Sequence, residues 1–267
     1  MVSAGHDYPE WQGAPRRSLI LISHPRSGST LLAEALHAAG GLGNPLEYLH
    51  AGFRPTFARR WQAESLPQYL TKLHRLRTDP GGTLGIKLFW RDLRETAVEA
   101  GIRSDQGPNP PPGGEDYMAL HTHLQRVLPN PVFVYLYRED RLRAAISAYI
   151  ASKTGVFRAL TPEQLQRTRR EVEYDYEGIR QALAAFDAAH AHWRAYFAAS
   201  GIRPLRLSYE ELQADYHGSV TNVITSLGGS GQKSLPAPRL TRQSSRHSET
   251  LLLRFLRDHA ERCPASN

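Results

Sequence analysis

Residues 18–39 read SLILISHPRSGSTLLAEALHAA, and the order of patterns within them decides the fold. Ser18 to Ser23 is a continuous apolar run rather than an alternating one, as in a strand buried on both faces. His24 to Thr30 (HPRSGST) carries a proline and a glycine and predicts a turn. Leu31 to Ala39 has helical spacing, with Gly40-Gly41 as its stop. A glycine-containing loop between a buried strand and a helix aims backbone N–H groups and the positive end of the helix dipole at one point, which suits an anion.

Arg26, Ser27, Gly28, Ser29 and Thr30 occupy that loop. Gly28 lets the backbone approach an oxyanion, Ser29 and Thr30 add hydroxyl donors, and Arg26 adds a fixed charge. A nucleotide triphosphatase loop would read G-x-x-x-x-G-K-[ST], and Ser29 stands where its lysine belongs. Without that lysine and its magnesium partner the loop is poorly equipped for γ-phosphoryl chemistry but remains suited to a 5′-phosphosulfate. The bland alternative is a Ser/Gly turn that caps a helix.

Working outward, further strands are predicted at Thr83–Trp90 (TLGIKLFW), Pro131–Tyr137 (PVFVYLY) and Pro204–Ser208 (PLRLS). Helical patterns cover Gln62–Arg77, Tyr117–Leu128, Asp140–Ser152, Glu177–Ala199 and Glu249–Glu261. Thr161-Pro162-Glu163-Gln164 is a helix start, and Tyr209–Asp215 opens another helix. Asn44–Phe53 and Gly107–Gly114 read as loops, and Gly228–Pro238 as a mobile Gly/Ser/Pro-rich stretch. Strands alternating with helices predict an α/β fold, a P-loop-like parallel sheet flanked by helices on both faces. The expected organisation is a loose leader over 1–17 and one domain over 18–267.

The chain has 267 residues, enough for a core that needs no disulfide or metal staple. Its single cysteine, Cys263, excludes an internal disulfide framework and a cysteine metal site, and fits a cytoplasmic location. The longest apolar stretch, Leu19–Ile22, is far too short to span a bilayer. The histidines are scattered; His190 and His192 share a helix but face different ways, so no metal is expected. A net charge of +7 suits an anionic ligand or nucleic acid. A nucleic-acid binder needs a clustered basic face, whereas only 138–143 (REDRLR) and 167–170 (RTRR) are dense here. That binder and a P-loop kinase-like enzyme are the alternatives.

With these segments in view the chain resembles the sulfotransferases that use 3′-phosphoadenosine 5′-phosphosulfate (PAPS), and among them the bacterial trehalose 2-sulfotransferase family. The resemblance rests on LILISHPRSGSTLL (19–32), GNPLEYL (43–49), GIKLFW (85–90) and VYLYRED…AAIS (134–147), with LRLSYEEL (205–212) a weaker echo. It implies a sulfuryl transfer from PAPS to a hydroxyl of a carbohydrate or glycolipid, without metal. Arg26 to Thr30 would hold the 5′-phosphosulfate, Arg138 and Ser147 the 3′-phosphate, and Glu47 would be the general base. Arg242 and Arg246 loosely match the family's nucleotide-closing loop. Asn44, Pro45, Glu47, Tyr48 and Trp90 are expected to face the acceptor. Lys87, at a strand end, is a further candidate for the transferring group, the alternative being a lysine that reaches solvent. Trp90, Tyr149 and Trp193 could line a sugar site, although aromatics are more often core. Two places depart from the family: Pro25 stands where it has a glutamine, and the segment after Ser147 (148–160) differs. Both bear on the acceptor rather than on the transfer chemistry. Family members can be dimers, so a homodimer is an expectation by analogy.

Overall fold

The computed structural model describes residues 4–102, 116–157, 161–168, 172–229, 235 and 246–262. The predicted 107–114 loop, most of the 228–238 stretch and Arg242 lie outside them. Four strands, β1 (Arg17–Ile22), β2 (Thr83–Leu88), β3 (Pro131–Tyr137) and β4 (Leu205–Ser208), form one parallel sheet in the order β2-β1-β3-β4. The helices are α1 (Ser29–Ala39), α2 (Arg54–Trp61), α3 (Leu66–Arg77), α4 (Trp90–Glu99), α5 (Tyr117–Val127), α6 (Arg141–Thr154), α7 (Pro162–Thr168), α8 (Tyr176–Ser200), α9 (Tyr209–Ala214), α10 (Tyr216–Ser226) and α11 (Arg246–Arg262).

Strand β1 explains its own apolar run. Ile20 and Ile22 face a core shared with Trp193 and Tyr196 of α8, while Leu19 and Leu21 face one shared with α1 and α10. Ile22 lies opposite Leu88 of β2 and Tyr135 of β3, so the loops that follow these strands leave from one edge. In open parallel sheets that edge is where ligands bind. Local signals hold the helices in place. Asp140 caps α6 through Arg143 N at 2.9 Å, Asp175 caps α8 through Gly178 N at 3.0 Å, and Ser208 with Glu211 forms a capping box at α9.

Three expectations change. The predicted strand over 83–90 stops at Leu88: Asp92 accepts the Phe89 N–H at 3.4 Å and opens α4 instead. The predicted helix over 62–77 is broken at Gln62, which is left-handed (φ 54) and ends a separate helix, α2; α3 restarts behind the N-cap Ser65. The leader is not loose over its described residues. Arg77 is fully buried among Tyr48, Phe57 and Trp61, and its charge requires a partner, which Asp7 supplies at 3.2 Å. Tyr8 N and Trp11 N then donate to the last carbonyls of α3, those of Leu76 and Arg75.

The loop after α1 is pressed against β2 where neither backbone carries a side chain. Gly43 has φ +69, and a Cβ there would stand 2.2 Å from Gly85 N; one on Gly85 would stand 2.8 Å from Leu42 O. Asp79 fastens the contact, its carboxylate accepting Gly43 N at 2.9 Å and Thr83 N at 3.0 Å. Gly41 is left-handed too (φ +70) but has nothing near its Cβ position. Gly43→Ala is therefore expected to cost on the order of 3 kcal/mol or more, and Gly41→Ala about 1 kcal/mol. Urea denaturation of both variants checks this; equal losses would show that φ alone, not the close approach, sets the cost.

Candidate active site

The loop between β1 and α1 is wound tightly. Arg26 (φ 72) and Gly28 (φ 80) are both left-handed, and Gly28 is the N-cap of α1. A Cβ on Gly28 would stand 2.7 Å from the Tyr209 ring, so only glycine fits. The turn directs the Arg26 carbonyl at Arg138, whose Nη1 donates to it at 3.1 Å. Arg26 Nε donates to Ser147 Oγ of α6 at 3.0 Å, and its Nη1 donates to the Phe157 carbonyl. Burial lowers the Arg26 pKa to about 10, with the neighbouring Arg138 adding to the effect, so the group stays charged at neutral pH. Arg138 lies 4.7 Å over the Tyr209 ring and 3.9 Å from Glu210, with its pKa also lowered by burial. Two guanidinium groups thus flank one turn. Among the described residues the buried Ser27 Oγ and Arg138 Nε have no hydrogen-bond partner.

Lys87 joins this loop to the 44–50 segment. Its side chain is 6% exposed; Nζ lies 2.6 Å from Glu47 Oε1 and donates to Thr30 Oγ1 at 3.1 Å. It does not reach solvent. Leu46 bridges to Ile86, and Lys87 N donates to Leu46 O at 2.9 Å, so Glu47 is delivered by backbone pairing. Asn44 and Pro45 are buried in the same segment, and Asn44 Nδ2 has no hydrogen-bond partner among the described residues.

Arg26, Ser27, Gly28, Ser29, Thr30, Glu47, Lys87, Arg138 and Ser147 are therefore gathered at one sheet edge. Tyr48 and Trp90 are not. Tyr48 is fully buried beside Phe57, its hydroxyl donating to Asn44 O at 3.0 Å, because the turn after Glu47 sends it inward. Trp90 stacks on His192 at 4.8 Å and meets Trp193 at 5.0 Å, because the chain becomes helical there. Both belong to the core, as do Trp193, His190 and His192. Arg246 opens α11, exposed, one turn before the Glu249 that pairs with Arg143 of α6.

Residue typing passed over several contributors. Tyr209 supports both Gly28 and Arg138, and Glu210 accepts the Glu139 and Asp140 N–H groups at 3.0 and 3.3 Å. The S-x-x-E capping box at 208–211 is the signal that fixes their position. Arg91 donates to His50 Nε2 at 2.7 Å beside the Glu47 segment.

Asp92 is buried beneath these groups, and its Oδ1 makes no hydrogen bond. Burial raises its pKa to about 7; Glu47 and Glu95 add to the rise, and Arg91 opposes it. A raised carboxyl binds its proton more tightly when folded. The stability it brings is full below the unfolded value of 3.8 and is lost as pH climbs through about 7. Asp92→Asn, which keeps an acceptor for Phe89 N, is expected to match the wild type near pH 4 and to exceed it at pH 8 by on the order of 2–4 kcal/mol. Urea titrations of both proteins at several pH values measure this, and a pH-independent difference would refute the assignment.

The comparisons agree with this architecture. A sulfotransferase from Alicyclobacillus acidocaldarius superposes with a TM-score of 0.50 at 15% identity, covering 92% of this chain and 93% of that one, which supports the fold. The trehalose 2-sulfotransferase of Mycobacterium tuberculosis (strain Erdman) is 28% identical over 268 residues, 90% of this chain and 94% of that protein. That of Mycolicibacterium smegmatis is 27% identical over 271 residues, covering 91% and 96%. The Stf0 sulphotransferase profile matches residues 18–258, from the first residue of the β1 apolar run to the last turn of α11, and the chain belongs to that family.

Proposed function

We propose that this protein transfers the sulfuryl group of PAPS to a hydroxyl of a carbohydrate or glycolipid. The observation that carries the reading is Lys87, a buried ammonium that touches both the candidate base Glu47 and the donor-side hydroxyl of Thr30. Sulfuryl transfer needs an attacking oxygen, sulfur and leaving oxygen roughly in line, with negative charge stabilised at the leaving end. Glu47 takes the proton of the acceptor hydroxyl as its oxygen bonds to sulfur. The sulfur–oxygen bond to the nucleotide 5′-phosphate breaks, and that phosphate keeps the electron pair. Arg26, the N-terminus of α1 and Lys87 stabilise the charge growing there. Ser27 Oγ and Arg138 Nε, neither of which has a hydrogen-bond partner among the described residues, fit an oxyanion-rich donor. The relatives' names favour a sugar acceptor, and Pro25, with no side-chain donor or acceptor, favours one that differs from theirs in its contacts.

A transfer assay with labelled PAPS against glycans, glycolipids and simple alcohols tests the reading. Glu47→Gln should lower turnover by about a hundredfold to ten-thousandfold while leaving donor affinity nearly intact. Near-normal turnover removes Glu47 from the mechanism. The product 3′-phosphoadenosine 5′-phosphate (PAP) should raise the melting temperature; a shift with ATP and magnesium but none with PAP would overturn the donor assignment.

Arg138 is proposed as the reader of the 3′-phosphate, with Ser147 beside it. Arg138→Ala should weaken PAP about thirtyfold to a thousandfold yet hardly affect adenosine 5′-phosphosulfate, which has no 3′-phosphate to lose. Ser147→Ala should do the same more weakly. Titration calorimetry with both nucleotides decides it: equal weakening of the two would assign Arg138 another role.

A further inference from the structure

A second cleft, of about 990 Å³, lies away from the phosphate loop. It is bounded by the last turns of α6, the 172–177 segment leading into α8, and α11. It shares no residue with the site above. Its nearest link is Ser147, two positions before Tyr149 on α6 and turned to a different side of that helix.

Three tyrosines line it, each beneath a cation. Lys153 lies 5.4 Å over Tyr149, Arg254 lies 4.1 Å over Tyr174, and Arg262 lies 4.3 Å over Tyr176. The rings are held by their hydroxyls. Tyr149 donates to Glu173 O at 2.6 Å, Tyr174 donates to Asp258 Oδ2 at 2.8 Å, and Tyr176 bonds His259 Nδ1 at 2.8 Å. A guanidinium stacked on a fixed ring is held in place while its in-plane N–H edge stays available for a planar or tetrahedral oxyanion.

Four carboxylates share the lining, and the Asp258 charge acts on Arg254, but among the described residues none lies within ion-pair distance of Lys153, Arg254 or Arg262. Asp175 is committed to the α8 cap, Glu177 to Arg180 at 2.8 Å, and Asp258 to Tyr174 and to Arg257 at 3.2 Å. Among the described residues Lys153, Arg254 and Arg262 form no ion pair, and Arg167 donates to the Thr154 carbonyl at 3.0 Å. Among the described residues Glu173 and Asp175 are the lining carboxylates that form no ion pair. The lining's cations and carboxylates are equal in number, but Glu177 and Asp258 are paired with arginines outside it, Arg180 and Arg257, so positive charge is in excess around a preorganised aromatic floor. The cleft's volume matches that of small-molecule sites.

We propose that this cleft is a second anion site that takes a small sulfate or phosphate monoester, with the ester oxygens on Arg254, Arg262 and Lys153. The experiment is calorimetry at fixed ionic strength on the full chain, with glucose 6-sulfate, glucose 6-phosphate and glucose, each with and without PAP. At least one ester should bind whether or not PAP is present, and glucose should not; the stronger ester identifies the source of the oxyanion. The double variant Arg254→Gln/Arg262→Gln should weaken ester binding by about tenfold or more, and Lys153→Gln, a single exposed change, by a smaller factor. Arg126→Gln, on the exposed side of α5, should leave it unchanged. Absence of ester binding, its displacement by PAP, or an equal loss in Arg126→Gln would overturn the proposal.

Discussion

The contact of Gly43 with Gly85 is the constraint on which the site depends. Two backbones approach more closely than any side chain allows, and Asp79 fixes the spacing through two N–H groups. Once the loop is docked, the Leu46 carbonyl pairs with Lys87 N, and the next residue, Glu47, arrives beside the Lys87 ammonium. A glutamate on an unpaired loop would lose considerable entropy in holding that position. Here the cost is met by the sheet, so Glu47 and Lys87 are preorganised by β2 rather than by their own attraction.

The other half of the site is a problem in burying positive charge. Arg26, Arg138 and Lys87 lie at the same edge, where a single isolated cation is already costly. The protein distributes the cost. Arg26 uses a hydroxyl and a carbonyl, Arg138 uses a carbonyl and an aromatic face with Glu210 nearby, and Lys87 uses a carboxylate and a hydroxyl. Most of these partners are neutral, so positive potential persists at the helix N-terminus, which suits an anionic donor.

The same economy recurs elsewhere in the chain with different results. Arg77 is also buried against aromatic rings, but Asp7 meets its charge, and the outcome is structural: the leader is tied to α3. Arg254 and Arg262 have the aromatic face and, among the described residues, no carboxylate within ion-pair distance.

Much was legible in the sequence because it is encoded locally. The apolar run of β1, the glycine-bearing turn that follows it and the absent Walker lysine each depend on residues within a few positions. Misreadings came where a local pattern had two solutions. TLGIKLFW suits a strand to its end, but Asp92 can cap Phe89 N, and the helix it opens turns Trp90 into the core. In GNPLEYL the polar and aromatic residues looked alike as ligands, yet the backbone turn sends Glu47 to Lys87 and Tyr48 inward. The sequence by itself determined the layered α/β architecture and the tight glycine-bearing loop between β1 and α1, since periodicity and backbone stereochemistry act over short range. Only the tertiary structure decided which charges meet. Glu47, Lys87 and Thr30 lie on three separate stretches of chain, and Arg26, in the loop that leads to Thr30, meets Arg138 from the end of β3 and Ser147 from α6. Electrostatic pairing across such separations follows from strand order and close packing, which no single segment contains.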